Sequence, residues 1–392
     1  MRIDSVDLFY LRMPEVLNIG DGSQDALLVR VVAGGVTGWG EAEASPLTSI
    51  ASWIAPMSHS ACHPVIDSVL GERIDSAADI LAISRKVRGN SFYAIIQSDL
   101  TLSGIEIALW DLLGKLKEEP VYRLLGYPRA ERKQPYASVL FGNTAQETLQ
   151  KAIHIRKEGF GAVKFGWGSF GRGSVVADRD QIHAAREGIG AGAHLMIDAG
   201  TAFGEDVQAA ELRLPALAEA GVLWFEEPFA AAALSCYAQL AKSSQNVRLA
   251  AGEGSHNPYQ AEHLIDYGGI GFVQIDTGYV GGIADAYRVA QYAAARGVQF
   301  VNHTFTSHSA LAASLQPFAG VKEFWITEYP IEAKSLCSEL TTNKIEIGSD
   351  GMISVPDRPG IGIEISLEAV KKYVVDVDIR VAGRVLYVTP KL

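Results

Sequence analysis

Between His194 and His303 the chain repeats one pattern, a short apolar run closed by a chemically capable residue. His-Leu-Met-Ile-Asp198, Val-Leu-Trp-Phe-Glu226, Leu-Ala-Ala-Gly-Glu253, Phe-Val-Gln-Ile-Asp276 and Gln-Phe-Val-Asn-His303 end 23 to 28 residues apart. Each run reads as a strand buried on both faces, and the interval leaves room for one crossover helix. Upstream, 136–140 (Tyr-Ala-Ser-Val-Leu) and 162–165 (Ala-Val-Lys-Phe) extend the series, and Phe-Trp-Ile-Thr-Glu328 completes eight strands. Alanine- and leucine-rich stretches such as 145–158, 205–220 and 283–296 read as the helices between them. The fold class is therefore α/β, a (β/α)8-type, modified TIM barrel whose strand ends share one mouth.

The chain before the barrel is patterned differently. Residues 1–9, 26–33 and 34–41 predict an antiparallel meander, and 75–88 and 102–117 predict helices. In the second helix Ile105, Ala108, Leu109 and Leu112 share one face. Residues 18–24, polar and glycine-rich, are too long for a tight hairpin and read as a solvated loop or a mobile flap. Residues 46–57 read as a second irregular stretch. The break at Gly126-Tyr-Pro128 sets the expected boundaries: an α+β capping domain over 1–126, the barrel over 127–330, and a segment 331–392 that returns to the cap.

Composition narrows the partners. A net charge of −11 argues against nucleic acid or an anionic membrane surface, and an acidic protein needs a local positive centre to hold an anionic substrate. Cys62, Cys236 and Cys337 have no metal-type spacing and read as thiols of a reducing compartment. No signal peptide or membrane-spanning run is apparent, so a cytoplasmic protein is expected. A homo-oligomer is also expected.

At the strand ends, Asp198, Glu226 and Glu253 offer oxygen ligands alone, a donor set that favours Mg²⁺. Such a cation would offset their mutual repulsion and supply the positive centre for a carboxylate substrate. Asp276 and His303 end neighbouring strands, where an aspartate can fix one imidazole nitrogen and leave the other as a general base. Lys164 faces them across the mouth, and a lysine in a cationic site is expected to have a depressed pKa. Glu328 is expected to meet a developing oxyanion as a protonated acid. Cation, base and oxyanion donors together point to abstraction of the proton alpha to a carboxylate, giving an enediolate.

These residues resemble the mandelate racemase branch of the enolase superfamily, over nearly the whole chain. Ile105-Glu-Ile-Ala-Leu-Trp-Asp-Leu-Leu-Gly-Lys115 and Pro120-Val-Tyr-Arg-Leu-Leu-Gly126 are similar to that family's helix before the barrel. Ile197-Asp198, Phe225-Glu226-Glu227-Pro228 and Gly252-Glu253 resemble its three metal-ligand motifs. By the same resemblance Asp276 and His303 are its base dyad, Glu328 its last-strand acid, residues 18–24 its substrate-covering loop, and Lys164 the first lysine of its Lys-x-Lys motif. Two positions depart: Gly166 stands where the second lysine belongs, and Gly200 where asparagine is usual. Glycine cannot accept a proton. The resemblance, read with one base missing, implies a Mg²⁺-dependent acid-sugar dehydratase in which His303 removes the alpha proton and a beta-hydroxyl leaves on the same side. A racemase, epimerase or cycloisomerase is the alternative, and a non-catalytic sugar-acid-binding homologue a third reading. The expected partner is a small carboxylate, an acid sugar.

Overall fold

A computed structural model of the chain describes residues 1–20, 22–42, 45–92, 95–244 and 246–392, with the backbone alone at Ile95 and Ile96. Strands β1 (Ser5–Leu11), β2 (Ala26–Ala33) and β3 (Val36–Ala42) form an antiparallel meander in that order. The helix Ile95–Lys117 begins seven residues earlier than the apolar pattern predicts. Its added first turns hold Asp99, a buried carboxylate that the pattern could not place, and Arg88 meets it at 2.6 Å. Residues 46–57, expected to be irregular, contain the helix Pro46–Ile54, with Pro46, Ser49, Ile50 and Trp53 buried along one side. That is helical spacing, and proline suits the first turn. The predicted helix 205–220 is two pieces, Val207–Glu211 and Leu214–Glu219. Pro215 lacks an N–H and is tolerated only in the first turn of a helix, which is where it stands in the second piece.

Eight parallel strands follow: β4 (Gln134–Leu140), β5 (Ala162–Gly166), β6 (His194–Asp198), β7 (Val222–Glu226), β8 (Arg248–Ala251), β9 (Phe272–Asp276), β10 (Gln299–His303) and β11 (Ile326–Pro330). Their order is β10-β9-β8-β7-β6-β5-β4-β11. Alternation along each strand divides the core. Tyr136, Met196, Trp224, Phe272 and Val301 fill the interior, while Val163, Phe165, Ile197, Phe225 and Ile275 face the helices.

Among the described residues β10 and β11 share no backbone ladder. The side chain of Asn302 joins them instead. Its Oδ1 accepts from Glu328 N–H at 2.9 Å and Thr327 Oγ1 at 2.5 Å, and its Nδ2 donates to Ser314 Oγ at 3.1 Å. Asn302 is fully buried, so the amide exchanges bonds with groups that have no water to turn to.

After the barrel the chain packs against the cap. Leu336, Leu340, Val370 and Tyr373 share a cluster with Phe9, Leu11, Met13 and Leu28. Arg12 N–H donates to Tyr373 O at 2.9 Å and Val375 N–H to Tyr10 O at 2.8 Å. A short hairpin, β12 (Asp378–Val381) and β13 (Arg384–Val388), ends the chain, and the Tyr387 hydroxyl donates to Leu8 O. No helix among the described residues is long and apolar enough to cross a membrane.

The seam makes a prediction. Asn302→Ala strands a buried N–H and a buried hydroxyl, each costing about 1–3 kcal/mol, so urea denaturation should show a loss of about 2–6 kcal/mol. A loss below about 1 kcal/mol would mean that packing alone closes the barrel.

Candidate active site

The ends of four strands deliver four of the expected residues directly. Asp198, Glu226, Asp276 and His303 are the last residues of β6, β7, β9 and β10. Glu253 stands past the end of β8, in the loop, and Lys164 and Glu328 sit inside β5 and β11. All seven nevertheless meet in one mouth. Carboxylate oxygens of Asp198, Glu226 and Glu253 lie within 4.8 Å of one another. Lys164 Nζ is 2.5 Å from Glu226 Oε1, 3.1 Å from Glu328 Oε1 and 3.7 Å from Asp198 Oδ2. In the parallel register His303 lies opposite Asp276, and Nδ1 is 2.8 Å from Asp276 Oδ2. An Nδ1–H held there leaves Nε2 as the basic nitrogen, 3.4 Å from Glu253 Oε2.

Four of these carboxylates are built alike. One oxygen is pinned by a donor of the protein, and the other faces a reacting partner. Gly200 N–H holds Asp198 Oδ1 at 2.7 Å, Trp224 Nε1–H holds Glu226 Oε2 at 2.7 Å, Gly278 N–H holds Asp276 Oδ1 at 2.6 Å, and Thr304 N–H holds Glu328 Oε2 at 2.6 Å. The second oxygens point toward Lys164 in three cases and His303 in the fourth. Fixing one oxygen removes rotational freedom before any ligand arrives, so a bound group meets a preorganised set.

Electrostatics correct two expectations. Burial opposes a charge on Lys164, yet Glu226, Glu328 and Asp198 outweigh it and hold the ammonium well above the ordinary lysine range, not below it. Glu328 was expected as a protonated acid. Burial raises it, but Lys164, His303 and the Thr304 N–H together take it below the ordinary range, so it is a carboxylate. Burial and the neighbouring Glu226 push Asp198 up, and burial raises Glu226 against the pull of Lys164.

The cluster fits the expected cation on its own chemistry. Asp198 and Glu226 are 3% and 0% exposed, so water cannot screen their repulsion from Glu253. Three hard oxygen donors in a dry setting suit Mg²⁺ over a softer ion.

Comparison with known proteins agrees with this geometry. Residues 147–370 match the enolase C-terminal domain-like model, and residues 8–126 match the mandelate racemase/muconate lactonizing enzyme N-terminal domain. The chain belongs to the mandelate racemase/muconate lactonizing enzyme family of the enolase superfamily. It is similar to a D-galactarolactone cycloisomerase from Agrobacterium fabrum, 32% identical, covering 69% of this chain and 73% of that protein. It is also similar to a D-galactonate dehydratase from Xanthomonas euvesicatoria pv. vesicatoria, 30% identical over 86% of this chain and 88% of the other. Among solved structures it resembles a predicted mandelate racemase from Rhodobacter sphaeroides, 55% identical, with a TM-score of 0.95 over 99% of each chain.

A cavity of about 360 Å³ opens over the cluster, a size suited to a small molecule. Gly20, Gly22 and Gln24 of the 18–24 loop line it, as do Lys164, Trp167, Tyr279, His303, Phe305 and Glu332. Asp21 of that loop lies outside the described residues. Among the described residues, none of 46–57 lines the cavity, and the helix Pro46–Ile54 buries Pro46, Ser49, Ile50 and Trp53. The family's second lysine position is closed here: a Cβ at Gly166 would lie 2.8 Å from Asp198 Oδ2.

Sequence reasoning gave no role to Trp167, although it sits between Gly166 and Gly168 beside a motif residue. It also passed over Glu41, whose strand-end position in Gly-Trp-Gly-Glu41 has the same form as the barrel carboxylates. Glu41 is buried behind the dyad, beside a small pocket lined by Asp276 and His303. Its carboxylate end meets the Ser307 hydroxyl, and burial pushes its pKa up to about 7.

A metal readout independent of turnover follows. Mg²⁺ at a hundredfold over its Kd should stabilise the protein by about 2.7 kcal/mol, seen as a raised Tm in thermal unfolding. Glu226→Gln should fold and lose that increment. Gly166→Ala should weaken it, since the added methyl must displace Asp198. A Tm indifferent to Mg²⁺ in the native protein would overturn the metal assignment.

Proposed function

We propose that this protein is a Mg²⁺-dependent acid-sugar dehydratase in which His303 is the base that takes the alpha proton. The observation that carries this reading is the one-sidedness of the mouth. His303 is oriented by Asp276 at 2.8 Å on one side, while Gly166 leaves no base at the second lysine position on the other. The relatives support the substrate class, since a D-galactonate dehydratase and an arabinonate dehydratase are among them.

Asp198, Glu226 and Glu253 would hold the cation, with the substrate carboxylate beside it. When bound, Mg²⁺ supplies Lewis-acid stabilisation of the charge that builds on that carboxylate as the alpha proton leaves. His303 Nε2 takes the proton, and the imidazolium that results is held by the Asp276 carboxylate. The electron pair left on the alpha carbon expels the beta-hydroxyl, and the same Nε2 proton goes to the leaving oxygen, so water departs from the face that the base attacked. The enol that remains becomes a 2-keto-3-deoxy acid. Lys164, charged among Glu226, Glu328 and Asp198, is placed to meet negative charge on the substrate.

A second reading shares the first step. The cycloisomerase relative supports an enzyme that takes the alpha proton and then opens or closes a ring, with no loss of water. Screening a panel of aldonates, aldarates and their lactones separates the two: a dehydratase releases 2-keto-3-deoxy acid, a cycloisomerase an isomer of unchanged mass.

His303→Asn should lose both product formation and exchange of the alpha proton with deuterated water, by at least about a hundredfold, the scale of removing a general base. Proton NMR with both configurations of the acid reads the exchange. If His303→Asn still exchanges one epimer at near-native rate, a second base exists and the epimerase reading replaces this one.

A further inference from the structure

The two departures from the family pattern meet at one side chain. Trp167 follows Gly166 at the end of β5 and lines the cavity. Its backbone is left-handed, with φ of 53°, and its N–H reaches Asp198 O at 3.3 Å, which turns the chain at the level of the carboxylate cluster. Gly200 approaches the pyrrole side of the indole: a Cβ there would lie 2.8 Å from Trp167 Cδ2, and φ is 51°. The asparagine usual in the family has no room at that position. From the cap, Gly20 approaches the benzo side, where a Cβ would lie 2.7 Å from Trp167 Cε3, at a φ of 69°. A strand end without a side chain, an indole and the two glycines that admit it are thus one unit. Going round by β4 and β11, β5 is the third strand from β10, so the indole stands across the mouth from His303.

We propose that Trp167 is a specificity-determining residue of this site, an apolar wall against which Gly20 of the cap packs and the carbon face of the substrate chain lies. An indole offers a large rigid apolar surface and one N–H, so a hydroxyl pressed on its face would lose water without gaining a partner. The wall therefore selects acids that turn C–H bonds toward β5 and a beta-hydroxyl toward His303, the arrangement that loss of water from the base's side requires. This substrate selection rests on the function proposed above; the loop contact does not.

The test compares native protein, Trp167→Ala and Trp167→Phe, each saturated with Mg²⁺. Hydrogen exchange of the peptide spanning 16–26 should speed up at least about tenfold in Trp167→Ala, and Trp167→Phe should restore most of the protection. In the same proteins the ratio of KM for six-carbon aldonates to KM for glycerate, a three-carbon acid that keeps both the alpha and the beta hydroxyl, should rise at least about tenfold in Trp167→Ala, the scale of one lost aromatic contact. Unchanged loop exchange overturns the proposal whatever the substrate is. Equal losses for long and short acids overturn it too, because they would show a structural role only. A native protein that turns over none of the acids counts against the proposed function, while the exchange comparison still decides the loop contact.

Discussion

Asp198, Glu226, Glu253, Asp276 and Glu328 place five carboxyl groups around Lys164 and His303 in a nearly dry barrel mouth. Carboxylates so close and so poorly hydrated repel one another strongly, and most of the structure's detail answers that repulsion. Four have an oxygen pinned by an N–H of the protein, so none of these four can turn away to relieve the repulsion. Lys164 offsets part of the charge, and a bound divalent cation would offset more. The repulsion is thus held in a rigid frame and would favour binding of a cation.

The frame depends on closing the barrel where its ladder stops. Asn302 bonds β10 to β11 through its side chain, and the residue it holds, Glu328, is itself part of the mouth. The neighbouring residue, His303, is the candidate base. One short segment therefore both closes the sheet and presents chemistry, which ties the geometry of the site to the integrity of the fold. The cap is tied in the same way. Glu106, buried in the long helix, accepts from Ile283 and Ala284 N–H at the start of a barrel helix at 2.6 and 3.0 Å, and Arg88 pairs with Asp285.

The asymmetry of the mouth has a steric origin. Asp198 lies so close to Gly166 that a side chain there must displace its carboxylate, and Trp167, the next residue, lines the cavity. Polar catalytic groups are gathered on the His303 side and along Lys164 and Glu328, while the Trp167 indole lines the cavity on the side of β5. Such a pocket treats the two faces of a bound acid differently before any bond breaks.

The sequence by itself determined the barrel and the identity of its charged ends. Short, largely apolar runs that recur every 23 to 28 residues read as buried parallel strands, and in a barrel of such strands the C-terminal residue points to the shared mouth. His194–Asp198, Val222–Glu226 and Phe272–Asp276 were legible for that reason, and so were the family motifs. Tertiary structure decided the rest. The ionisation of Glu328 and Lys164 depends on distances between strands remote in sequence, and no local pattern encodes whether burial or a neighbouring charge prevails. The helix Pro46–Ile54 and the extra turns before Leu102 are fixed by burial against the cap. Trp167, Gly200 and Gly20 are separated by long stretches of chain, and no local pattern joins them. Only the folded chain shows that both glycines approach the indole so closely that a Cβ would lie 2.8 and 2.7 Å from it.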